Sequence, residues 1–281
     1  MTLISSLQNA QMKQIRALSR RGERERTGLF FVESPRAVIE AIQLHVPLDT
    51  LVIAPALLKN CRMRTLAQAQ QRAGARCLEV TPEVFESLVL KENRGGLAAV
   101  ARQRWTALDQ IPVGRDRCWI ALEGVQYPGN LGTILRTSDA AGGAGVILLG
   151  RTADPFDPQA VRASAGAIFA QQLVRTTTGE FAAWRRHHAL VVVGTAPQAT
   201  TDNRLATYRQ ARVLLRGRAG QRLSAELQDL CDALVRIPMV GRSDSLNLAV
   251  STALVLYEIF RRQRPVAAER AEVGRTSLID S

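Results

Sequence analysis

Short apolar runs alternate with amphipathic helical patterns along most of the chain, and this alternation predicts an α/β fold. In the first part of the chain, strands are predicted at 28–33, 50–54, 76–80 and 96–101. Two helices are predicted to begin at the Ser-Pro and Thr-Pro pairs of residues 34 and 81, because both pairs are typical of helix starts. These elements predict a small α/β domain at 1–105. A linker with Pro, Gly and mixed charges follows at 106–117.

A larger second domain is predicted at 118–265. Its apolar runs lie at 118–122, 145–149, 190–193, 213–215 and 234–237. Because continuous apolar runs separated by helices are typical of a parallel sheet covered on both faces, we predict such a sheet here. The last helix, 246–262, is apolar on nearly every turn, so we expect it to be buried, in part against a second copy of the chain. Residues 266–281 are predicted to be a mobile polar tail.

Basic residues outnumber acidic ones by 37 to 25, which gives a formal net charge of +12. Most of the basic residues are arginine, whose planar guanidinium favours bidentate contacts to phosphate. A basic surface can also serve solubility alone. Because the arginines occur in clusters, we favour a polyanionic partner such as nucleic acid.

Other classes of protein find little support in the sequence. The four cysteines are far apart and have no histidine at metal-ligand spacing, so neither a disulfide framework nor a metal site is expected. Cys118 lies in an apolar run, where it is expected to act as a small buried hydrophobe. There is no targeting segment at the start and no apolar run of membrane length, so we expect a soluble, cytoplasmic protein. A nucleotide-binding oxidoreductase is disfavoured, since no Gly-x-Gly-x-x-Gly follows the first strand of the second domain.

Two segments place turn residues between an apolar strand and an apolar helix, which is how α/β proteins build ligand sites. The first reads Leu-Glu-Gly-Val-Gln-Tyr-Pro-Gly-Asn-Leu-Gly-Thr-Ile-Leu-Arg at 122–136, and the second reads Ile-Pro-Met-Val-Gly-Arg-Ser-Asp-Ser-Leu-Asn at 237–247. In the first, Asn130 is expected to cap the helix, and Arg136 is expected to be partly buried among apolar neighbours. The alternative is an ordinary loop and helix with surface charges.

Together these segments resemble the first and third signatures of the SpoU (TrmH-type) RNA ribose 2′-O-methyltransferases. The resemblance implies a parallel-sheet domain with a deep trefoil knot that binds S-adenosyl-L-methionine and forms a homodimer. The segments 30–36 and 94–100 resemble the small RNA-binding domain that precedes the knotted domain in many members. The resemblance implies that the catalytic residues are Asn130, Arg136, Ser245 and Asn247. The cofactor residues that it implies are Thr195, Ala196, Leu215, Gly217, Gly220, Ile237, Met239, Ser245 and Leu246.

RNA, either ribosomal or transfer RNA, is the partner that the resemblance implies. The arginines expected to bind it are Arg20, Arg21, Arg24, Arg26, Arg36, Arg162, Arg218 and Arg222. For those of the first domain, the alternative is a solvated helix end.

The second family signature is altered in this chain. It is expected at 215–224, where Ala219 replaces the usual Glu and Arg218 and Arg222 add positive charge. Glu123 is the nearest candidate to supply the missing carboxylate. The leading hypothesis is a ribose 2′-O-methyltransferase, and the altered signature keeps open an RNA-binding homologue with weak or no transferase activity.

Overall fold

The computed structural model describes residues 3–90, 94–112, 117–208, 210–217 and 223–263. They form two compact units. The first unit comprises Met1–Arg104, Tyr127–Arg136 and Ala153–Ala170, and the second comprises Trp105–Gln126, Thr137–Thr152 and Gln171–Ser281. Residues 127–136 and 153–170, which were assigned to the second domain from the sequence, therefore cluster with the first hundred residues. The predicted tail at 266–281 and Gly220, Arg218 and Arg222 lie outside the described residues.

The helices are α1 (Ala10–Ala17), α2 (Arg21–Thr27), α3 (Pro35–Gln43), α4 (Cys61–Arg72), α5 (Pro82–Glu86), α6 (Pro128–Ala140), α7 (Pro158–Ser164), α8 (Ala167–Ala170), α9 (Thr178–His187), α10 (Ala225–Asp229) and α11 (Leu248–Gln263). The strands are β1 (Leu29–Val32), β2 (Leu48–Ile53), β3 (Cys77–Glu79), β4 (Leu97–Arg102), β5 (Trp119–Glu123), β6 (Gly145–Leu149), β7 (Gln172–Thr176), β8 (Val191–Thr195), β9 (Thr201–Asp202), β10 (Ala211–Arg216) and β11 (Ala233–Arg236).

The first unit is built on a mixed sheet in the order β1-β4-β2-β3. Strand β4 pairs antiparallel with β1 and β2, and β2 pairs parallel with β3. One face is covered by α1 through Met12 and Ile15 and by α5 through Val84 and Phe85, all of them buried. Helix α3 begins at Pro35 and α5 at Pro82, after Ser34 and Thr81, which confirms the two predicted helix starts.

Helices α6 and α7 approach each other closely within the first unit. A Cβ atom on Gly132 of α6 would lie 2.2 Å from the carbonyl oxygen of Ala160 in α7, a distance that real side chains do not reach. Phe156, just before α7, packs its ring against that of Phe30 in β1 with centroids 4.8 Å apart. The segment just before α7 is thereby attached to the small sheet.

The second unit is built on a sheet in the order β7-β6-β5-β10-β8-β11-β9. Every pairing between its neighbouring strands is parallel. Alternate residues of each central strand point to opposite faces, and both sets are buried: Trp119 and Ala121 on one face, Ile120 and Leu122 on the other. This confirms the predicted parallel sheet and explains why its strands are continuous apolar runs.

Two edge strands escaped prediction from the sequence. The burial pattern of β7 includes the exposed Arg175, and β9 has only two residues. An edge strand with one partner carries more polar residues than a central one, so its apolar signal is weaker. The expectation that Asn130 caps a helix is also wrong, because α6 already begins at Pro128 and includes Asn130 in its first turn.

Candidate functional site

The strands of the second unit end at one common edge, because every pairing in the sheet is parallel. The central strands end there at Glu123 in β5, Thr195 in β8 and Arg216 in β10. In the sheet, β10 lies between β5 and β8, although it follows both of them in the sequence. Open α/β sheets bind ligands outside the carboxyl ends of their strands, at the point where the strand order reverses. The candidate site of this unit is therefore the carboxyl edge around these three strands.

Four of the predicted cofactor residues lie together at this edge. They are Thr195 at the end of β8 and Ala196 just after it, with Leu215 near the end of β10 and Gly217 just after it. Thr195 is partly buried, whereas the other three are buried. The Ala196 N–H donates to the carbonyl oxygen of Val235 in β11 at 3.0 Å, which holds this turn against the next strand. Neighbouring strand ends thus place peptide groups and small side chains side by side.

The loop after β11 carries two of the predicted cofactor residues, Ile237 and Met239. Ile237 is half-buried, Met239 is 40% exposed and Val240 is fully exposed. Apolar side chains on a loop at the ligand edge of a sheet are suited to cover the flat apolar face of a base. The cofactor residues predicted in this loop therefore lie at the carboxyl edge.

The last helix begins differently from the prediction. Helix α11 starts at Leu248, and Asn247 accepts hydrogen bonds at its Oδ1 from the backbone N–H groups of Ala249 at 2.8 Å and Val250 at 3.4 Å. The helix therefore starts two residues later than predicted, and the Asn247 side chain occupies its first free amides. Ser245 is exposed, and its hydroxyl lies 3.1 Å from Asp244 Oδ1.

Glu123 places a carboxylate at the same edge. Its Oε2 accepts the backbone N–H of Ser224 at 3.0 Å, so the last residue of β5 binds the chain just beyond residues 218–222. The sequence named Glu123 as the nearest replacement for the Glu absent at residue 219. The structure gives this carboxylate a defined partner that anchors the end of the altered segment.

Arg216 is a residue of this edge that the sequence analysis did not single out. It is buried at the end of β10, and its guanidinium donates to the hydroxyl oxygens of Thr195 and Ser251. Burial lowers the pKa of Arg216 to about 10, so the side chain remains positively charged at neutral pH. The sequence indicated the special position of Arg216 only by placing a charged residue at the end of an otherwise apolar strand.

Helix α6 carries Asn130 and Arg136 and follows β5 along the chain. Asn130 is partly buried in the first turn, where its backbone N–H donates to the carbonyl oxygen of Tyr127 at 3.1 Å. Arg136 is exposed, so the expectation that it is partly buried is wrong. Within the described parts of the chain, Arg136 has no ion-pair partner. Its guanidinium is therefore accessible to a ligand.

The arginines predicted to bind RNA divide into two groups. Arg20, Arg21, Arg26 and Arg36 are exposed. Arg24 is 1% exposed, and its guanidinium is bound by Asp154, Asp157 and two backbone carbonyl groups. The prediction that Arg24 binds RNA is wrong, because a buried and paired guanidinium cannot reach a phosphate. Arg162 is partly exposed and pairs with Glu33 at 3.0 Å.

Metal binding and thiol chemistry have little support among the described residues. Across the described ranges, no group of three or more His, Cys, Asp or Glu side chains could hold a metal ion. Cys118 is buried, as predicted, and burial raises the pKa of its thiol to about 12, so it is not a nucleophile. In the part of the chain that the structure describes, no helix has the length and apolar character needed to span a bilayer.

A parallel sheet with a candidate ligand edge at its carboxyl ends and a small unit with exposed arginines define a two-part α/β protein. Residues 117–257 match the model of the SpoU rRNA Methylase family, and residues 9–99 match the MRM3-like substrate binding domain. The chain belongs to the SpoU rRNA methylase family.

Relatives and solved structures agree with this assignment. The chain is 33% identical over 272 residues to a 23S rRNA (uridine(2479)-2′-O)-methyltransferase of Streptomyces viridochromogenes, covering 91% of each chain. An AdoMet-bound rRNA methyltransferase from Sinorhizobium meliloti superposes with a TM-score of 0.84 at 36% identity, covering 93% of this chain and 97% of that one. A SpoU methyltransferase from Streptomyces viridochromogenes in complex with AdoMet gives a TM-score of 0.81 at 32% identity, covering 91% and 98%. The alternative of a homologue without transferase activity finds no support in these comparisons.

Proposed function

We propose that the protein transfers a methyl group from S-adenosylmethionine to a ribose 2′-hydroxyl of ribosomal RNA. The observation that carries this proposal is the set of predicted cofactor residues at the carboxyl edge of the parallel sheet, in a chain of the SpoU rRNA methylase family. Its relatives in Streptomyces viridochromogenes and Bacillus subtilis are named 23S rRNA 2′-O-methyltransferases and match more than nine-tenths of this chain. Other relatives are named for both transfer and ribosomal RNA, so transfer RNA is the second candidate substrate.

The residues at this edge fit S-adenosylmethionine. The exposed apolar side chains of Met239 and Val240 are available to cover the adenine. The turn at Thr195 and Ala196 and the end of β10 supply hydroxyl and peptide groups for the ribose and the amino-acid part. When bound, S-adenosylmethionine supplies an electrophilic methyl group attached to a sulfonium.

The roles of Asn130 and Arg136 follow from their chemistry and from the family pattern. A guanidinium stays protonated and has no acceptor, so we assign Arg136 to orient the ribose 2′-oxygen and the adjoining phosphate. Asn130 supplies a neutral amide that holds the same ribose. Ser245 and Asn247 hold the cofactor loop, the latter by capping α11. Positioning and exclusion of water supply most of the rate acceleration in this scheme.

The trefoil knot that the family pattern implies is also part of the proposal. It is supported by the strand order, in which β10 is inserted between β5 and β8 after the chain has left through β9. Because threaded chains are rare in proteins, the strand order would not by itself suggest a knot. The knot is therefore proposed from the family pattern and the strand order together.

The proposal is tested by two measurements on the purified full-length chain. Isothermal titration with S-adenosylmethionine is expected to show one site per chain. Incorporation of a radiolabelled methyl group into unmodified 23S rRNA is expected, with nuclease digestion locating the label on a ribose 2′-oxygen. Tight RNA binding without cofactor binding or methyl transfer would replace the enzyme by a non-catalytic RNA-binding protein.

We expect the chain to form a homodimer through α11. Val250, Leu254 and Tyr257 lie one turn apart along this helix, and each is about half exposed in the single chain. An exposed apolar stripe of this kind is typical of a protein interface. Light scattering is expected to give twice the chain mass of 30.7 kDa.

A charge placed in the stripe tests its role in dimer formation. Leu254→Asp is expected to shift the dimer towards monomer, whereas Leu205→Asp, at a residue 80% exposed elsewhere in the second unit, leaves the mass unchanged. A natural protein that is monomeric at micromolar concentration contradicts this interface.

RNA affinity is expected to fall steeply with salt, and part of this dependence is assigned to Arg20, Arg21 and Arg26. Each phosphate contact that is lost lowers the slope of log K against log salt by about 0.7 to 0.9, so replacing all three by glutamine is expected to lower it by about 2. The matched control replaces Arg62, Arg72 and Arg76, three exposed arginines of the same unit. If both triple variants lower the slope equally, the first group has no special role.

A further inference from the structure

The Arg216 side chain connects three segments of the predicted cofactor site. It leaves the end of β10, donates through one terminal nitrogen to the Thr195 hydroxyl at the end of β8, and through the other to the Ser251 hydroxyl in α11. Ser251 Oγ in turn lies 3.0 Å from the carbonyl oxygen of Asn247 and 3.1 Å from that of Leu248. One buried guanidinium therefore links the end of β8 to the first turn of α11.

This arrangement is costly for the folded protein by itself. Arg216 is 8% exposed, and none of the described carboxylates pairs with it. Its Nε is buried and has no hydrogen-bond partner among the residues that the structure describes. A buried cation that is compensated only by neutral hydroxyls destabilises the fold relative to an apolar side chain of similar size. Stability alone therefore does not account for arginine at this position.

The network determines which way the Thr195 hydroxyl is polarised. Its oxygen accepts a hydrogen bond from the Arg216 cation, so its own hydrogen is directed to a different acceptor. Thr195 is partly exposed at the carboxyl edge, next to the buried Ala196. The hydroxyl is thereby prepared as a donor at the edge where the cofactor binds.

We propose that Arg216 is a positioning residue for S-adenosylmethionine, which holds Thr195 as a hydrogen-bond donor and fixes the start of α11 against the end of β8. This inference rests on the proposed function and adds to it the residue that preorganises the cofactor site. On this inference, the buried cation lowers stability but is kept because it serves cofactor binding. Functional sites commonly reduce stability in this way.

The proposal predicts opposite effects of Arg216→Met on cofactor affinity and on stability. Loss of a charge-assisted hydrogen-bond network is expected to raise the dissociation constant for S-adenosylmethionine about tenfold or more. The melting temperature without cofactor is expected to stay the same or rise, because methionine fills the space without a buried charge. A residue that serves only the fold would lower the melting temperature instead.

The experiment uses titration calorimetry, thermal melting and steady-state methyl transfer on the full chain. Arg216→Lys is expected to recover part of the affinity, because it keeps the charge and can donate to one hydroxyl. The matched control is Arg212→Met on the same strand, where a half-buried arginine donates to the adjacent Ala211 carbonyl oxygen. This control is expected to change neither measurement. In Arg216→Met, KM for the cofactor is expected to rise, with kcat at saturating cofactor nearly unchanged.

Thr195→Val and Ser251→Ala test the same network without touching the arginine. Each is expected to weaken cofactor binding, and adding Thr195→Val to Arg216→Met is expected to cost less than Thr195→Val alone, because the two residues act together. If Arg216→Met does not fold, these two variants decide: full affinity in both overturns the inference. If the natural protein binds the cofactor and Arg216→Met binds it with the same affinity, the inference about Arg216 is wrong. The proposed function is not affected by that result. Absence of cofactor binding by the natural protein overturns the proposed function and this inference with it.

Discussion

Replacing Arg136 by alanine is expected to lower methyl transfer at least about a hundredfold while leaving the fold intact. Arg136 is exposed, and it has no ion pair with any residue that the structure describes, so its truncation leaves no buried group without a partner. Surface substitutions of this kind usually change the free energy of unfolding by less than about 0.5 kcal/mol. Loss of a charge that orients a reacting oxygen commonly costs about 10²-fold in rate.

The measurement is radiolabelled methyl incorporation into rRNA, with thermal melting and cofactor titration on the same samples. Arg136→Lys separates charge from shape, since lysine keeps the charge but loses the planar pair of donors, and we expect it to remain strongly impaired. Arg186→Ala removes an exposed arginine from helix α9 of the second unit and is expected to be neutral. A variant Arg136→Ala with more than half of the natural activity would show that another group orients the ribose.

Much of the second unit could be predicted from sequence because its central strands are buried on both faces. The predicted strand at 145–149 coincides with β6, and those at 118–122 and 234–237 are displaced by one residue from β5 and β11. In a chain whose strands alternate with helices, a continuous apolar run is best accommodated as a central strand with both faces buried. The outer strands β7 and β9 lack that constraint, and the sequence did not reveal them.

The exposure of Arg136 was predicted incorrectly because neighbours in the sequence were treated as neighbours in space. Ile134 and Leu135 are buried, but a helix turns about 100° per residue. Arg136 instead shares a face with Thr133 and Asp139, three residues away on either side, and both Thr133 and Asp139 are mainly exposed. The helical period, applied to this segment, would have given the correct side.

The pairings of Arg24 and Arg216 could not be obtained from local patterns. Arg24 meets Asp154 across 130 positions of sequence, and Arg216 meets Ser251 across 35. Only the tertiary fold brings these groups together. The sequence shows a cluster of arginines in one case and a strand ending in a charge in the other, and each pattern also fits an exposed residue.

Replacing Arg24 by methionine is expected to destabilise the protein by about 3–5 kcal/mol, the usual cost of removing one partner from a buried ion pair. The Arg24 guanidinium donates to Asp154 Oδ2 at 2.8 Å and to the carbonyl oxygens of Leu18 and Ser19 at 2.9 and 2.8 Å. Asp154 is itself only 6% exposed, so its carboxylate would be left buried without its cation. Asp157, at 3.3 Å, is more exposed and can turn to water.

Thermal melting and denaturant unfolding of the full chain measure this cost, and a fall in melting temperature of roughly 10 °C is expected. The matched control is Arg26→Met, two residues away on the same helix, whose side chain is 70% exposed and pairs with Glu23. Such a surface pair contributes about 0 to 1 kcal/mol, so the control is expected to melt close to the natural protein. Adding Asp154→Leu to Arg24→Met removes the stranded carboxylate and is expected to recover part of the loss, because two apolar side chains can replace a buried ion pair. If Arg24→Met melts with the control, the contact between α2 and the segment before α7 does not stabilise the first unit. In that case Arg24 is available again as a candidate for binding RNA.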